Sequence, residues 1–411
     1  MLIWILHFAL GISSGLPLLL TGSTLQAWMT DQKVDLKSIG LFALVGIPYS
    51  LKFLWAPFMD RYRLPFLTKR RGWMLLAQIL LALAILGLGF TDPLNNPFKT
   101  AFFAVLVSFM SASQDIVIDA YRTESLKGKV LGLATSSYIT GYRVGMLVAG
   151  AGSLFIVDQY KISWSGIYAI MAVLLSIGTI AALFAPESQS VPSVKTLKEA
   201  VVDPFVEFFT RPQALWLLVF ILFYKFGDNL AGAMTTPFIL KIGYTKTEYA
   251  LVAKGAGFFA VIAGGVFGGP LMARLGIVRS LWVFGIGQAI AVAGFAVLAS
   301  VGHNLNVLSA VIISENFFIG CGAAAFSAFL SSITNRKFSA TQYALLTALM
   351  SVSRSVLSAP SGWIAEKLGW VEYFLFCVGL AVPGLLLLIK IQGRLLKQEE
   401  YPETLAPETD T

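Results

Sequence analysis

The sequence predicts an all-α integral membrane fold with twelve transmembrane helices arranged as two six-helix bundles. Three observations carry that prediction. Of 411 residues, 57% are hydrophobic and only 13% charged, with a mean hydropathy of +0.76; a soluble domain carries about 25% charged residues. The apolar residues fall into blocks of about 20 or more, enough to cross ~30 Å as helix at ~1.5 Å per residue. The longest polar stretch, residues 185–212, separates the sixth block from the seventh.

The expected spans are 3–29, 38–59, 72–91, 98–121, 130–157 and 163–184, then 213–240, 247–273, 278–300, 305–332, 341–366 and 371–392. Residues 2–29 are too long for a signal-peptide core and lack a basic start, so they read as the first span. Gly15, Pro17, Pro48, Gly264, Gly265 and Pro360 lie inside spans, as expected of helices that bend. The domain reading is therefore an N-terminal bundle over 1–184, a Pro-containing linker over 185–212, a C-terminal bundle over 213–395 and an acidic, disordered tail over 396–411.

Loop charge sets the orientation. With the N-terminus inside, the inner loops hold Arg61, Arg63, Lys69, Arg70, Arg71, Arg122, Lys127, Lys129 and later Arg274, Arg279, Arg336 and Lys337, more than twice the external share of Lys and Arg. Both termini are thus expected to be cytoplasmic. The net charge of +8 serves topology and is no nucleic-acid footprint. Cys321 and Cys377 lie in apolar context, and His7 and His303 are the only histidines, so neither a disulfide framework nor a metal site nor a resident cofactor is expected.

A weak parallel repeat relates the halves. Pro57-Phe-Met-Asp-Arg61 recurs as Pro270-Leu-Met-Ala-Arg274, and Arg143 as Arg354, both at offsets of about 210 residues. Two parallel six-helix repeats are the architecture of the major facilitator superfamily, and the chain resembles it in this respect.

Nine ionisable residues fall inside expected spans: Lys52, Asp115, Asp119, Arg143, Lys225, Asp228, Lys254, Glu315 and Arg354. At membrane depth a charge costs roughly 2.5–3.5 kcal/mol on insertion scales, so each needs a partner charge, water or a substrate. Mutual pairing is one reading; cargo binding by the cations and proton carriage by the acids is the other. Asp115 and Asp119 are spaced i, i+4 and share a helix face, beside Gln114. They are the expected proton-coupling pair, with Asp115 as carrier and Asp119 either coupling or locking the fold through Arg122.

The expected cargo-binding residues are Gln26, Tyr49, Lys52, Gln114, Arg143, Tyr224, Lys225, Asp228, Asn229, Glu315, Asn316 and Arg354. Arg143 and Arg354 offer bidentate donors for a carboxylate, either an internal one or the cargo's. Lys225 and Asp228 are spaced i, i+3 and read equally as a site or as a self-neutralised pair. Ser13, Ser14, Thr21, Ser23, Thr24 and Gln26 read as a hydrogen-bonding wall for a sugar-like ligand or as hydroxyls bonded to their own helix. Trp28, Tyr49 and Trp55 suit either sugar stacking or an aromatic belt. Asp60, Arg61 and Arg122 are the expected gating residues: Asp60-Arg61 followed by Lys69-Arg70-Arg71-Gly72 resembles the superfamily's charged loop between its second and third helices, stretched here by Tyr62–Thr68.

Several stretches are similar to the AmpG-type muropeptide permeases. They are Ser14-Gly-Leu-Pro through Trp28, Val45-Gly-Ile-Pro through Arg61, Arg71-Gly-Trp73, Ser111-Ala-Ser-Gln-Asp through Arg122, and Gly141-Tyr-Arg-Val-Gly-Met146, with Tyr224-Lys-Phe-Gly-Asp228 in the second half. The resemblance implies a proton-coupled importer of anhydromuropeptides in a bacterial inner membrane, acting as a monomer on a small-molecule cargo, and no enzyme. A facilitator for another anionic solute, such as acetyl-CoA or a sugar–peptide conjugate, and a non-transporting membrane receptor are the other readings of the same frame.

Overall fold

The structure is a computed structural model. It describes all residues except 1, 35–37, 39–40, 66, 187–195, 246–247, 250, 353–356, 359 and 401–411. Among the described residues every regular element is a helix, and ten helical stretches are long and apolar enough to cross a bilayer. They are Ile3–Asp31, Lys69–Gly89, Pro97–Ser125, Gly128–Tyr160, Trp164–Phe184, Ala214–Lys241, Leu251–Leu275, Ile277–Val301, Leu305–Ile333 and Trp370–Gly393.

Two of the twelve expected spans do not appear as single long helices. Residues 38–59 resolve into short pieces, Phe42–Gly46, Ile47–Leu51, Lys52–Leu54 and Ala56–Arg61. Pro48 and Pro57 each open a new piece; proline has no N–H to give the preceding turn and its φ suits a helix start. The expected 341–366 span runs as Ser339–Val352 and resumes at Ser361–Leu368, and Arg354 lies outside the described residues. Other spans are broken as well. The first changes course at Thr21–Gly22, and the one from Ala214 breaks at Lys225.

Part of the expected linker is a helix, Leu197–Thr210. Its start is written in the sequence as Thr196-x-x-Glu199: the Thr196 hydroxyl accepts the Glu199 N–H at 3.1 Å, half of a capping box. At its other end Glu207 and Arg211 pair at 2.6 Å. The final helix, Trp370–Glu400, extends into the stretch expected to be tail.

The chain forms two compact units. One combines Met1–Leu126, Ser137–Phe205 and Ile333–Ala348; the other combines Lys127–Ser136, Val206–Ser332 and the described chain from Leu349 onward. In the first unit, Leu16, Leu20, Leu25 and Trp28 pack on Leu81, Ile85, Leu88 and Met171. A second cluster there joins Leu6, Leu10, Met59, Met74, Ile116 and Tyr121 to Ala340 and Ala344. The core of the other unit is aromatic: the Phe374 ring lies 4.8 Å from Phe238 and 5.1 Å from Phe295. Between the spans of that unit, the His303 ring stacks on Tyr244 at 4.2 Å. The Thr245 N–H and hydroxyl both donate to the nearby Glu248 carboxylate, which holds it below the usual carboxylate range.

The first unit also depends on a backbone-to-backbone contact. Gly11 and Gly15 face the carbonyls of Tyr138 and Tyr142, while Gly141 and Gly145 face those of Phe8 and Ile12. A Cβ at any of the four would overlap a carbonyl oxygen of the opposite helix. Without a hydrophobic drive between helices in lipid, such small-residue contacts supply much of the packing. Gly15→Val and Gly141→Val are therefore expected to lower the melting temperature and the folded yield in detergent, at a cost of about 1–3 kcal/mol or more. Gly46→Ala, which meets nothing within 4 Å, should leave both unchanged.

Candidate functional site

Two polar systems lie in the first unit, and they differ in how completely their charges are satisfied. The first surrounds Arg70, at the start of the Lys69–Gly89 helix. Arg70, Asp60 and Glu124 are 1%, 0% and 2% exposed. Arg70 Nη2 donates to Asp60 Oδ1 at 2.7 Å, and its Nε donates to both Glu124 oxygens, at 2.9 and 3.0 Å. Nη1 donates to the Met59 carbonyl at 2.9 Å, and Nη2 reaches the Ser339 hydroxyl at 2.8 Å. Ser339 in turn donates to Glu124 at 2.6 Å. Asp60 accepts the N–H groups of Ala340 and Thr341 at 3.2 and 2.8 Å and the Thr341 hydroxyl at 2.7 Å. These are the first N–H groups of the Ser339–Val352 helix, so Asp60 acts as an N-terminal cap supplied from another helix, on the positive end of the dipole.

The second system lies toward the middle of the Pro97–Ser125 helix. Asp119 receives Arg122 Nη2 at 2.7 Å and lies 3.9 Å from Lys52 Nζ. Arg122 also donates to the Tyr343 hydroxyl at 2.9 Å and sits 4.7 Å over the Tyr138 ring. One turn away, Asp115 is 8% exposed, and its Oδ1 has no hydrogen-bond partner among the described residues. Gln114, fully buried, donates to Ser13 and Ser14 at 3.1 Å each. The Tyr49 hydroxyl and the Ser111 hydroxyl are further buried oxygens without a partner among the described residues.

The other unit holds a third system. Lys225 occupies the break between Ala214–Tyr224 and Phe226–Lys241. Its ammonium donates to Asp228 at 3.2 Å and to Gln288. Tyr224 donates to the Leu281 carbonyl at 2.7 Å. Glu315 is 7% exposed, and the neighbouring Asn316 amide donates to the Ile312 carbonyl at 2.9 Å. Asn229 lies in the first turn after the break.

The remaining expected residues are dispersed. Gln26 is exposed on the Ser23–Asp31 helix. Arg143 is half-buried, with Nη1 3.9 Å from the Met146 sulfur. Arg61 overlies the Tyr62 ring at 5.4 Å, and Arg70 donates to Asp60 at 2.7 Å. Trp28 is a core residue between Trp164 and Tyr168, with ring distances of 6.3 and 5.3 Å, and Trp55 donates to Ser113 at 3.0 Å. No group of three or more His, Cys, Asp and Glu among the described residues is placed to hold a metal ion.

Glu124, Gln78 and Gln288 are the polar residues that sequence reasoning missed. Gln78 and Gln288 are each an isolated amide in the middle of an apolar span, a visible signal. Their offset of about 210 residues is that of the repeat. The contact of Gln78 with Ser13 at 3.4 Å and that of Gln288 with Lys225 therefore join corresponding positions in the two halves.

These geometries predict unequal costs for the two arginines. Arg70→Gln strands two buried carboxylates and is expected to cost about 3–5 kcal/mol, read as a lowered thermal midpoint of the purified protein. Arg61→Gln, with only an aromatic contact, should cost less than ~1 kcal/mol.

The comparisons with known proteins agree with this layout. Residues 3–358 match the Major Facilitator Superfamily family profile. The anhydromuropeptide permease of Escherichia coli (strain K12) is 45% identical over 382 residues, covering 92% of this chain and 78% of the relative. Putative transporter AmpG 4 of Rickettsia conorii is 32% identical, covering 94% of this chain and 96% of the relative. Among solved structures, the proton:xylose symporter XylE matches with TM-score 0.69 at 13% identity, covering 95% of each chain. The human organic anion transporter MFSD10 matches with TM-score 0.66 at 15% identity, covering 94% of this chain and 97% of that one. These relatives are permeases and transporters, not enzymes. The chain is a multi-pass membrane transporter that belongs to the Major Facilitator Superfamily, among its AmpG-type permeases.

Proposed function

We propose that the protein imports anhydromuropeptides from periplasm to cytoplasm by proton symport, as a monomer in a bacterial inner membrane with both termini cytoplasmic. The substrate class rests on the similarity to a relative named as an anhydromuropeptide permease. The observation that supports the coupling is the unequal provision for two carboxylates one turn apart: Asp119 has Arg122 and Lys52, whereas Asp115 Oδ1 has no hydrogen-bond partner among the described residues. A carboxylate left bare at this depth is the group that exchanges a proton, while its neighbour stays charged and held.

In this reading a proton arriving from outside neutralises Asp115. In the first unit Lys52 is proposed to take a peptide carboxylate of the cargo and Tyr49 and Gln114 its hydroxyls and amides; in the other unit Lys225 is proposed for a carboxylate and Tyr224, Asn229 and Asn316 for hydroxyls and amides. Asp228 holds Lys225 in place until cargo competes for it, and Glu315 completes that polar patch. The gate at Asp60, with Arg61 and Arg122 flanking it, then opens inward. Import of each negative charge against an inside-negative potential costs about 2.3 kcal/mol per 100 mV, which one co-transported proton offsets.

The test is uptake of labelled N-acetylglucosaminyl-anhydromuramyl peptide into proteoliposomes, with and without an inward proton gradient. Gradient-driven accumulation is expected; absence of uptake from folded protein rejects the substrate. Asp115→Asn is expected to abolish accumulation above equilibrium while leaving the fold intact, and accumulation by this variant equal to wild type rejects Asp115 as carrier. Lys225→Met alone should impair folding through the stranded Asp228. Lys225→Met with Asp228→Leu should restore the thermal midpoint and still reduce uptake at least tenfold; full uptake by the double variant makes the pair purely structural.

A further inference from the structure

The Leu197–Thr210 helix carries three distinct ridges. Ala200, Pro204 and Phe208, spaced i, i+4, i+8, are buried. Ala200 packs on Phe338, and the Pro204 carbonyl accepts the Gln342 side-chain amide at 3.0 Å. Glu199, Asp203 and Glu207, with the same spacing, form an acidic ridge. Val202, Val206 and Phe209 form the third, 43%, 53% and 59% exposed. At ~3.6 residues per turn this apolar ridge lies opposite the buried one, and the acidic ridge lies between them. A helix dissolved in cytosol has no use for an exposed valine–phenylalanine ridge on the side away from its own protein.

Continuity along the chain identifies what covers that ridge. Only Arg211–Gln213 separate the helix from the span that starts at Ala214. Phe209 and Ala214 are five residues apart, a reach of at most about 18 Å, so Phe209 cannot be far from the bilayer surface. Leu215, just inside that span, is 66% exposed. Trp216 beside it carries Lys390 at 3.4 Å over its ring, a pairing typical of the depth where lipid meets water. Upstream, the preceding span ends in Ile180, Leu183 and Phe184, which are 54%, 46% and 74% exposed. The exposed apolar ridge of the helix thus lies next in the chain to the exposed apolar start of a membrane-length span.

We infer that the Leu197–Thr210 helix lies in the headgroup layer of the bilayer, with Val202, Val206 and Phe209 inserted among the lipids and Glu199, Asp203 and Glu207 facing water. The side, cytoplasmic, rests on the topology proposed above; the insertion does not. The partner is the lipid surface itself. Because the same helix holds Phe338 and Gln342, the lipid layer restrains the segment that Asp60 caps.

The experiment uses the full-length chain in proteoliposomes. The native cysteines are each 1% exposed, so unmodified protein serves as the unlabelled control. Val206→Cys and Asp203→Cys are each labelled with an environment-sensitive fluorophore and quenched with brominated lipid or aqueous iodide. Brominated lipid is expected to quench the Val206→Cys label at least twofold more than the Asp203→Cys label, with the reverse order for iodide. Equal iodide access at both positions, or protection of the Val206→Cys label from both quenchers, overturns the inference. So does self-quenching of that label that disappears when the protein is diluted in lipid, because a second copy then covers the ridge. Phe209→Cys is a second reporter and should behave as Val206→Cys does. None of these readings depends on which solute is carried.

Discussion

The first unit depends on one guanidinium. Arg70 gathers Asp60, Glu124, Ser339 and the Met59 carbonyl in a site from which water is excluded. Burial of two carboxylates is tolerable only when every lone pair is met, and arginine's planar fork of five donors does that where a lysine's point charge would not. The same cluster ties the Ala56–Arg61, Lys69–Gly89 and Pro97–Ser125 helices to the start of Ser339–Val352. Four elements distant in sequence are thus positioned by one residue, and the glycine contacts and leucine clusters fill the space that this arrangement defines.

The deeper charges obey the same rule with one departure. Asp119 is satisfied by Arg122 and approached by Lys52, and Lys225 is satisfied by Asp228 and Gln288. Asp115 is the departure. Its Oδ1 has no hydrogen-bond partner among the described residues. A buried carboxylate oxygen of this kind calls for an explanation, and a transferred proton supplies one.

Much of this was legible in the sequence. Block length and loop charge identified a helical membrane protein, and Asp115 with Asp119, Lys225 with Asp228, and the Asp60 loop all fall in polar clusters. The second span is divided into short pieces, since apolar composition counts residues and does not set where Pro48 and Pro57 interrupt the hydrogen-bond ladder. The adjacency of Arg61 to Asp60 is visible in the sequence, whereas the bond from Arg70 to Asp60 needs the fold to bring the chain back across the 62–68 loop. Glu124 lies just past the expected 98–121 span, and its bonds to Arg70 and Ser339 come from chain distant in sequence. The capping box at Thr196 was readable and identifies the linker helix, but which of its faces meets protein depends on tertiary contacts that no local pattern encodes.

The cap that Asp60 places on the 339–352 helix makes that helix incomplete without its neighbour. Parting the two exposes a carboxylate and several amide N–H groups, all of which must be hydrated at once. The first step of separation is therefore the hardest, and each water that enters finds partners already unsatisfied and eases the next. Bonds of this kind favour all-or-none wetting of the Asp60 cluster, dry and locked or flooded and released, so a small bias elsewhere can tip the separation without supplying its whole energy.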